Sequence, residues 1–259
     1  MRILAIVADE VTYQPLVYEP IVQARKGDIL GIVTVSFQTK QQTGLSLLRF
    51  LFQLYGVKGF IFKTLQVLRA KFMDMLSRFV KLDRCYSLRG IAHKYNIPLY
   101  PVTDISSEDF LKFVEELRPD IILSSQGHVV GRPLLSIPKI GVLNKHAGML
   151  PHYRGIYPVF WAMLNREDEI GVTVHFMNEK LDDGDILCQE TIPVTPEDTF
   201  ESLYRRVVEI TPKLFLTAIE SIEKGNYARH PNEKEKATYY GYPTPDDIKK
   251  FKQMGLRII

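Results

Sequence analysis

The sequence predicts an α/β fold: a Rossmann-like, mostly parallel sheet with helices on both faces and one helical insertion. Three observations predict it. Ile3 to Val7 is an unbroken apolar run, the pattern of a strand buried on both faces. Ile29 to Phe37, rich in Val and Ile, is a second such run, and Tyr18 to Ala24 between them suits a crossover helix ended by Gly27. Further short apolar runs then alternate with helical stretches, which is the rhythm of βα units.

Taken in order, the first strand opens into Asp9-Glu10-Val11-Thr12-Tyr13. Neither G-x-G-x-x-G nor G-x-x-x-x-G-K occurs there, so nicotinamide and nucleoside-triphosphate chemistry are excluded. Residues 44–84 are predicted to be two helices joined near Gly56 to Gly59. From Arg49 to Arg89 the chain carries nine Lys or Arg residues against only Asp74 and Asp83. That composition suits a packed helical hairpin, a membrane-surface contact or a lid over an anionic substrate. Ser87 to Tyr95 is helical in pattern, and Ile97 to Val102 is the third strand. Ser106-Ser107-Glu108-Asp109 supplies caps and an acidic first turn for a helix ending near Leu117. Ile121 to Ser124 is the fourth strand, and Ser125-Gln126-Gly127-His128 lies at its carboxyl end, where open α/β sheets bind ligands.

The stretch from Gly141 to Glu190 carries the chemistry. A short apolar strand over Ile140 to Leu143 runs into Asn144-Lys145-His146, and side chains two apart on an extended chain share a face. Pro151 and Gly155 mark a loop, Pro158 to Leu164 a short helix, and Ile170 to Met177 a strand leading into the acidic turn Lys180 to Asp185. A carboxamide can donate to a developing oxyanion, an imidazole can move a proton near neutral pH, and a carboxylate beside it can hold and charge it. Thr191 to Val194 closes the sheet. A long amphipathic helix follows over Thr199 to Lys224, with Glu201, Arg205, Arg206 and Glu209 outward and Pro212 breaking or kinking it.

These residues resemble the signature of the folate-dependent formyltransferases. The matching blocks are Asn144-x-His146, Leu150-Pro151-x-Tyr153-Arg154-Gly155, Gly171-Val172-Thr173-Val174-His175 and Leu181-Asp182-x-Gly184-Asp185-Ile186-Leu187. The family's usual His-Pro-Ser is His146-Ala147-Gly148 here. The resemblance implies the formyltransferase type of sheet, a catalytic triad of Asn144, His146 and Asp182, and 10-formyltetrahydrofolate as formyl donor, with no metal. It further implies donor contacts from Gln126, Gly127, His128, Leu181 and Asp185, and acceptor contacts from Glu10, Tyr13, Tyr153, Arg154 and Gly155. The implied reaction is attack of an acceptor amine on the formyl carbonyl, with Asn144 and protonated His146 stabilising the oxyanion and Asp182 helping to take the amine's proton. A small acceptor, a nucleotide-linked amino sugar, is expected. With no room after residue 200 for a C-terminal barrel, no action on methionyl-tRNA and no nucleic-acid partner are expected.

Composition frames the rest. The chain has 259 residues, 46% hydrophobic and 24% charged, as expected for a globular body. A net charge of +3 is too small to imply nucleic-acid binding alone. Cys85 and Cys188 match no metal or redox spacing, which suits a reducing cytoplasm, and with Met1 opening directly into a strand no signal peptide is expected. No charge-free apolar run reaches the roughly 18 residues that span a bilayer. Residues 1–225 are expected to form the catalytic domain with 44–84 inserted, and 226–259 a tail rather than a separate domain. A homodimer is carried as a further expectation. The rival of a metal hydrolase built on His146, His152, His175 and Asp182 lacks helical H-x-x-x-H spacing. A noncatalytic folate-binding homologue is the other rival.

Overall fold

The computed structural model describes residues 1–36, 44–127 and 129–259. Phe37, the last residue of the expected second strand, and His128 lie outside them. In chain order the elements are β1 (Ile3–Ala8), α1 (Gln14–Ala24), β2 (Ile29–Val35), α2 (Gly44–Leu76), α3 (Leu88–Tyr95), β3 (Leu99–Val102), α4 (Glu108–Leu117) and β4 (Ile121–Ser125). There follow α5 (Arg132–Leu135), β5 (Gly141–His146), β6 (Arg154–Gly155), α6 (Pro158–Leu164), β7 (Glu169–Phe176), β8 (Ile186–Pro193), α7 (Phe200–Glu223), β9 (Tyr239–Tyr240) and α8 (Pro245–Gln253).

Seven strands form the main sheet in the order β3-β2-β1-β4-β5-β7-β8. The first five are parallel; β7 and β8 pair antiparallel. Alternation along β1 shows why it reads as uniformly apolar. Ile3, Ala5 and Val7 face the core under α1, α3 and α7, while Leu4 and Ile6 face the core under α4 and α5. The same alternation on β5 sends Leu143 to the α7 side and Val142 to the α4 side. Asn144 and His146 therefore end β5 on the side of Val142, and Lys145 points the other way, with its ammonium 5.7 Å from the Tyr204 ring.

Local signals set the helix ends. Ser87, Ser107 and Thr199 cap α3, α4 and α7 with their hydroxyls, and Thr199 and Ser202 form a reciprocal box. Pro212 is buried inside an uninterrupted α7, so the expected break is absent. The final strand begins five residues earlier than its apolar pattern suggested, at Ile186. Glu201, expected outward, is 7% exposed. It accepts hydrogen bonds from Tyr13 and Tyr55 and pairs with Lys63 at 2.9 Å.

The expected helical insertion, α2, is two helical segments, as read from the sequence, joined across a kink at Gly56, where φ is 65° and ψ −178°. Its first part buries Phe50 and Leu54 against the body, with Phe50 edge-on to Tyr157 and Tyr242. Its length and mean apolarity are enough to cross a membrane, although Arg49 and Lys58 interrupt any charge-free run. The segment after α7 wraps back: β9 pairs with β6, and Phe251 of α8 stacks on Phe160 of α6 at 4.6 Å.

The conformation at Gly56 is one that only glycine adopts without strain. Gly56→Ala should lower stability by about 1–3 kcal/mol in urea melts. An unchanged midpoint would show that the helix can continue straight through this point.

Candidate active site

Two residues apart on β5, Asn144 and His146 project from one face of the sheet. Register sets His175 of β7 opposite Asn144 and Thr173 opposite His146, adding two polar side chains to that face. The turn after β7 brings Asp182 onto the same spot. Its Oδ2 lies 3.4 Å from His146 Nδ1, and its Oδ1 lies 3.7 Å from His175 Nε2. Asn144 Nδ2 is 3.2 Å from His175 Nε2. The structure thus gathers all three side chains of the expected triad, with His175 between Asn144 and Asp182.

Hydrogen-bond partners assign the protons. His175 Nδ1 lies 2.8 Å from the Phe176 carbonyl, which can only accept, so that nitrogen donates. Its Nε2 then accepts from the Asn144 amide and fixes the carboxamide's orientation, leaving the second amide hydrogen of Asn144 for another oxygen. Burial pushes the His175 imidazole down to about 4, against the pull of the Asp182 charge, so this ring is neutral near pH 7. His146 is also buried, but its ring meets an oxygen acceptor at each nitrogen. Its Nε2 is 2.7 Å from the Tyr153 carbonyl and its Nδ1 faces Asp182, so a proton on each nitrogen satisfies both oxygens.

Asp182 is held in place from three directions. Its backbone has a φ of 47°, uncommon for a residue with a side chain. The Gly155 amide donates to its Oδ2 at 2.9 Å. The Asn232 amide donates to the carbonyls of Asp182 and Gly184 at 2.9 and 3.1 Å. Behind this turn lies Arg154, fully buried. Its guanidinium donates to Asp183 at 2.5 Å, to Asn232 Oδ1 at 2.6 Å and to the Tyr239 hydroxyl at 2.7 Å. Burial alone would raise the Asp183 carboxyl, but hydrogen bonds from Arg154 and Asn178 outweigh it and hold the group below its usual range. Two glycines permit the close approach. A Cβ on Gly184 would stand 1.8 Å from the Phe176 carbonyl oxygen, and one on Gly155 would stand 2.1 Å from that of Tyr240.

The structure corrects several assignments to an acceptor. Arg154 has no exposed surface and both its terminal nitrogens donate to Asp183, Asn232 and Tyr239, with Nε buried and without a partner among the described residues, so it belongs to the scaffold of the Asp182 turn. Tyr153 acts through its carbonyl on His146, while its hydroxyl donates to Glu167. Gly155 acts through its amide on Asp182. The Glu10 carboxylate accepts from the amides of Thr12 and Tyr13 at 2.6 and 2.7 Å and so caps the start of α1. The Tyr13 hydroxyl is taken up by Glu201 and Lys63. Of the expected donor contacts, Gln126 and Gly127 end β4 beside the cluster's strand, with Gln126 Nε2 3.4 Å from Ser124 Oγ. Leu181 is 55% exposed next to Asp182. Asp185 gives its carbonyl to Phe176 at the start of β8. Among the described residues no group of three or more His, Cys, Asp or Glu side chains is placed to hold a metal ion.

Asn232 is the site residue that sequence reading left without a role, and His175 entered only as a ligand in the rival metal-hydrolase reading. His175 stood within a matched block, and its pairing with Asn144 follows only from strand register. Asn232 lies fifty residues beyond the turn it holds, in a polar segment with no pattern to single it out.

Residues 91–219 match the family model described as formyl transferase. The methionyl-tRNA formyltransferase of Thermotoga maritima is 33% identical over 162 residues, which cover 62% of this chain and 52% of that protein. The chain thus spans about half the length of the curated relatives it matches. An N-formyltransferase from Helicobacter canadensis, solved with folinic acid and dTDP-3-aminofucose, shares the fold. It has a TM-score of 0.61 at 19% identity, covering 100% of this chain and 84% of that one. The glycinamide ribonucleotide transformylase 1 of Symbiobacterium toebii aligns with a TM-score of 0.59 at 17% identity, covering 87% and 88% of the two chains. The formyltransferase type of sheet read from the motif blocks is therefore the fold observed.

The buried neutral imidazole generates a pH prediction. The unfolded chain takes up the His175 proton near 6.5, whereas the folded chain does so only near 4. Between those values the unfolded state binds more protons, so this group's contribution falls as pH drops from about 6.5 to about 4 and is level below. His175→Gln should remove up to about 3 kcal/mol of that acid loss, read from urea midpoints across the range. Parallel pH profiles for the two proteins would show that another group titrates.

Proposed function

We propose that this chain, which carries the formyl transferase domain over residues 91–219, moves a formyl group from 10-formyltetrahydrofolate to the amine of a small acceptor. The observation that carries the reading is the cluster of Asn144, His175, Asp182 and His146, formed from three of the four motif blocks and held in place by the fourth through the Tyr153 carbonyl and the Gly155 amide. The donor, when bound, supplies an electrophilic formyl carbon on a nitrogen leaving group. Residues at the end of β4 fit such a ligand. Gln14 donates to the Ser125 carbonyl at 3.1 Å, and its own Oε1 is buried without a partner among the described residues. The exposed Leu181, next to Asp182 in sequence, offers apolar surface to such a ligand.

The roles follow from the hydrogen bonds. The free amide hydrogen of Asn144 meets the formyl oxygen as negative charge grows on it, and the cationic His146 adds its field from the same strand end. One N–C bond forms to the acceptor and one breaks to the donor, so a proton leaves the amine and a proton reaches the departing nitrogen. Asp182 takes the first and, once protonated, hands it on to the departing nitrogen, so the transfer balances while His146 keeps both of its protons. His175 is a positioning residue: neutral, it orients Asn144 without competing for the charge of Asp182.

For the acceptor we favour a nucleotide-linked amino sugar. Support comes from the extent of the shared fold, which covers this whole chain, including the segment with Asn232 that completes the site. The second reading is an aminoacyl-tRNA acceptor, favoured by the 33% identity to a methionyl-tRNA formyltransferase. A screen of both acceptor classes with 10-formyltetrahydrofolate separates them; tRNA formylation with steep salt dependence would replace the first reading by the second.

Asn144→Ala, His146→Ala and Asp182→Asn should each lower turnover roughly a hundredfold or more, about 3 kcal/mol of transition-state stabilisation, with the fold intact by circular dichroism. Any of the three that keeps more than about a tenth of the parent rate is not a catalytic residue.

A further inference from the structure

The part of α2 beyond Gly56 has two opposed faces. One rests on the body, with Gly59 and Ala70 buried and Lys63 paired to Glu201. The other carries Val57, Ile61, Leu65, Leu68, Phe72 and Met75, each between 51% and 59% exposed. Their successive spacings of four, four, three, four and three residues keep all six on a single stripe of about 80° of the helix circumference. Six large apolar side chains in one row leave roughly several hundred Å² of contiguous apolar surface, more than a free-standing surface ordinarily leaves uncovered.

The stripe has charged borders. By the same rotation Lys58 and Arg69 lie along one side and Lys71 along the other, with Arg78 in the turn that follows the helix. All four are exposed, and among the described residues none forms an ion pair. The helix's one acid, Asp74, is turned to the body, where it accepts from the Ser87 hydroxyl.

We propose that this stripe docks on an anionic lipid bilayer, with the helix lying in the interface, its apolar row in the acyl boundary and the flanking cations on headgroups. Charge complementarity selects lipid over a second copy of the chain. A two-fold pairing of stripe on stripe would bring the bordering cations together, with no carboxylate on either side to answer them. The paired and buried face also keeps the helix along the body rather than across a bilayer. Lys63 ties α2 to Tyr13, in the loop at the carboxyl end of β1. Docking therefore leaves the helix between the lipid and the loop at the carboxyl end of β1.

Vesicle flotation of the full chain tests this without reading turnover, so its outcome is independent of the formyl-transfer reading. The probes are vesicles of phosphatidylcholine alone and of an equimolar mixture with phosphatidylglycerol. We expect flotation with the mixed vesicles, little with phosphatidylcholine alone, and release by high salt. Lys71→Ser with Arg78→Ser should weaken partitioning roughly thirtyfold. Leu65→Glu with Phe72→Glu should abolish it while leaving the circular dichroism spectrum and melting unchanged, since both positions face away from the body. Absence of flotation with mixed vesicles at low salt overturns the proposal, as does flotation that survives both double variants. A concentration-dependent dimer in light scattering, lost in Leu65→Glu with Phe72→Glu and accompanied by no vesicle binding, would assign the stripe to a second copy instead.

Discussion

Everything at the candidate site depends on one buried cation. Arg154 lies wholly inside the protein, where a guanidinium is tolerated only with a countercharge and hydrogen-bond acceptors around it. Asp183, Asn232 and Tyr239 supply these to its two terminal nitrogens, while Nε has no partner among the described residues. Asp183 is thereby drawn inward, and its neighbour Asp182, in a left-handed conformation, is turned outward to face His146 and His175. The same arginine precedes Gly155, whose amide grips the Asp182 carboxylate. Residues matched as one motif are thus a mechanical unit: the basic residue sets the turn, the glycine holds the carboxylate, and the carbonyl of Tyr153 holds the imidazole.

The division of labour between two adjacent carboxylates follows from their surroundings. Asp183 is paired with a buried arginine and spends its charge on structure. Asp182 faces two imidazoles, one neutral through burial and one able to carry two protons between two oxygen acceptors. A neutral His175 matters because a second cation there would compete with His146 for the same carboxylate. It would also turn the Nε2 that receives the Asn144 amide into a donor.

Much of the fold was legible in the sequence because parallel strands announce themselves as short, continuous apolar runs, and Ile3 to Val7 and Ile121 to Ser124 are both where the pattern placed them. Strand alternation likewise sufficed to put Asn144 and His146 on one face. Long-range events were not legible. Glu201 occupies an outward position on a simple helical wheel, yet Tyr13, Tyr55 and Lys63 converge on it from elements between roughly 140 and 190 residues away. Arg154 reads as a substrate ligand because exposed motif arginines commonly bind anions. Only the fold reveals that Asn232 and Asp183 close around it. Pro212 reads as a break, but α7 carries it through with the helix continuous on either side.

The central claim is that the buried Arg154–Asp183 pair places Asp182, and a double-mutant cycle with hydrogen exchange at the Gly155 amide tests it most directly. Arg154→Met and Asp183→Leu should each cost about 3–5 kcal/mol in urea melts by stranding a buried charge. Together they should cost far less than the sum, and in each single variant the Gly155 amide should lose its protection. Additive costs of under about 1 kcal/mol each, with the Gly155 amide still protected, would contradict the account.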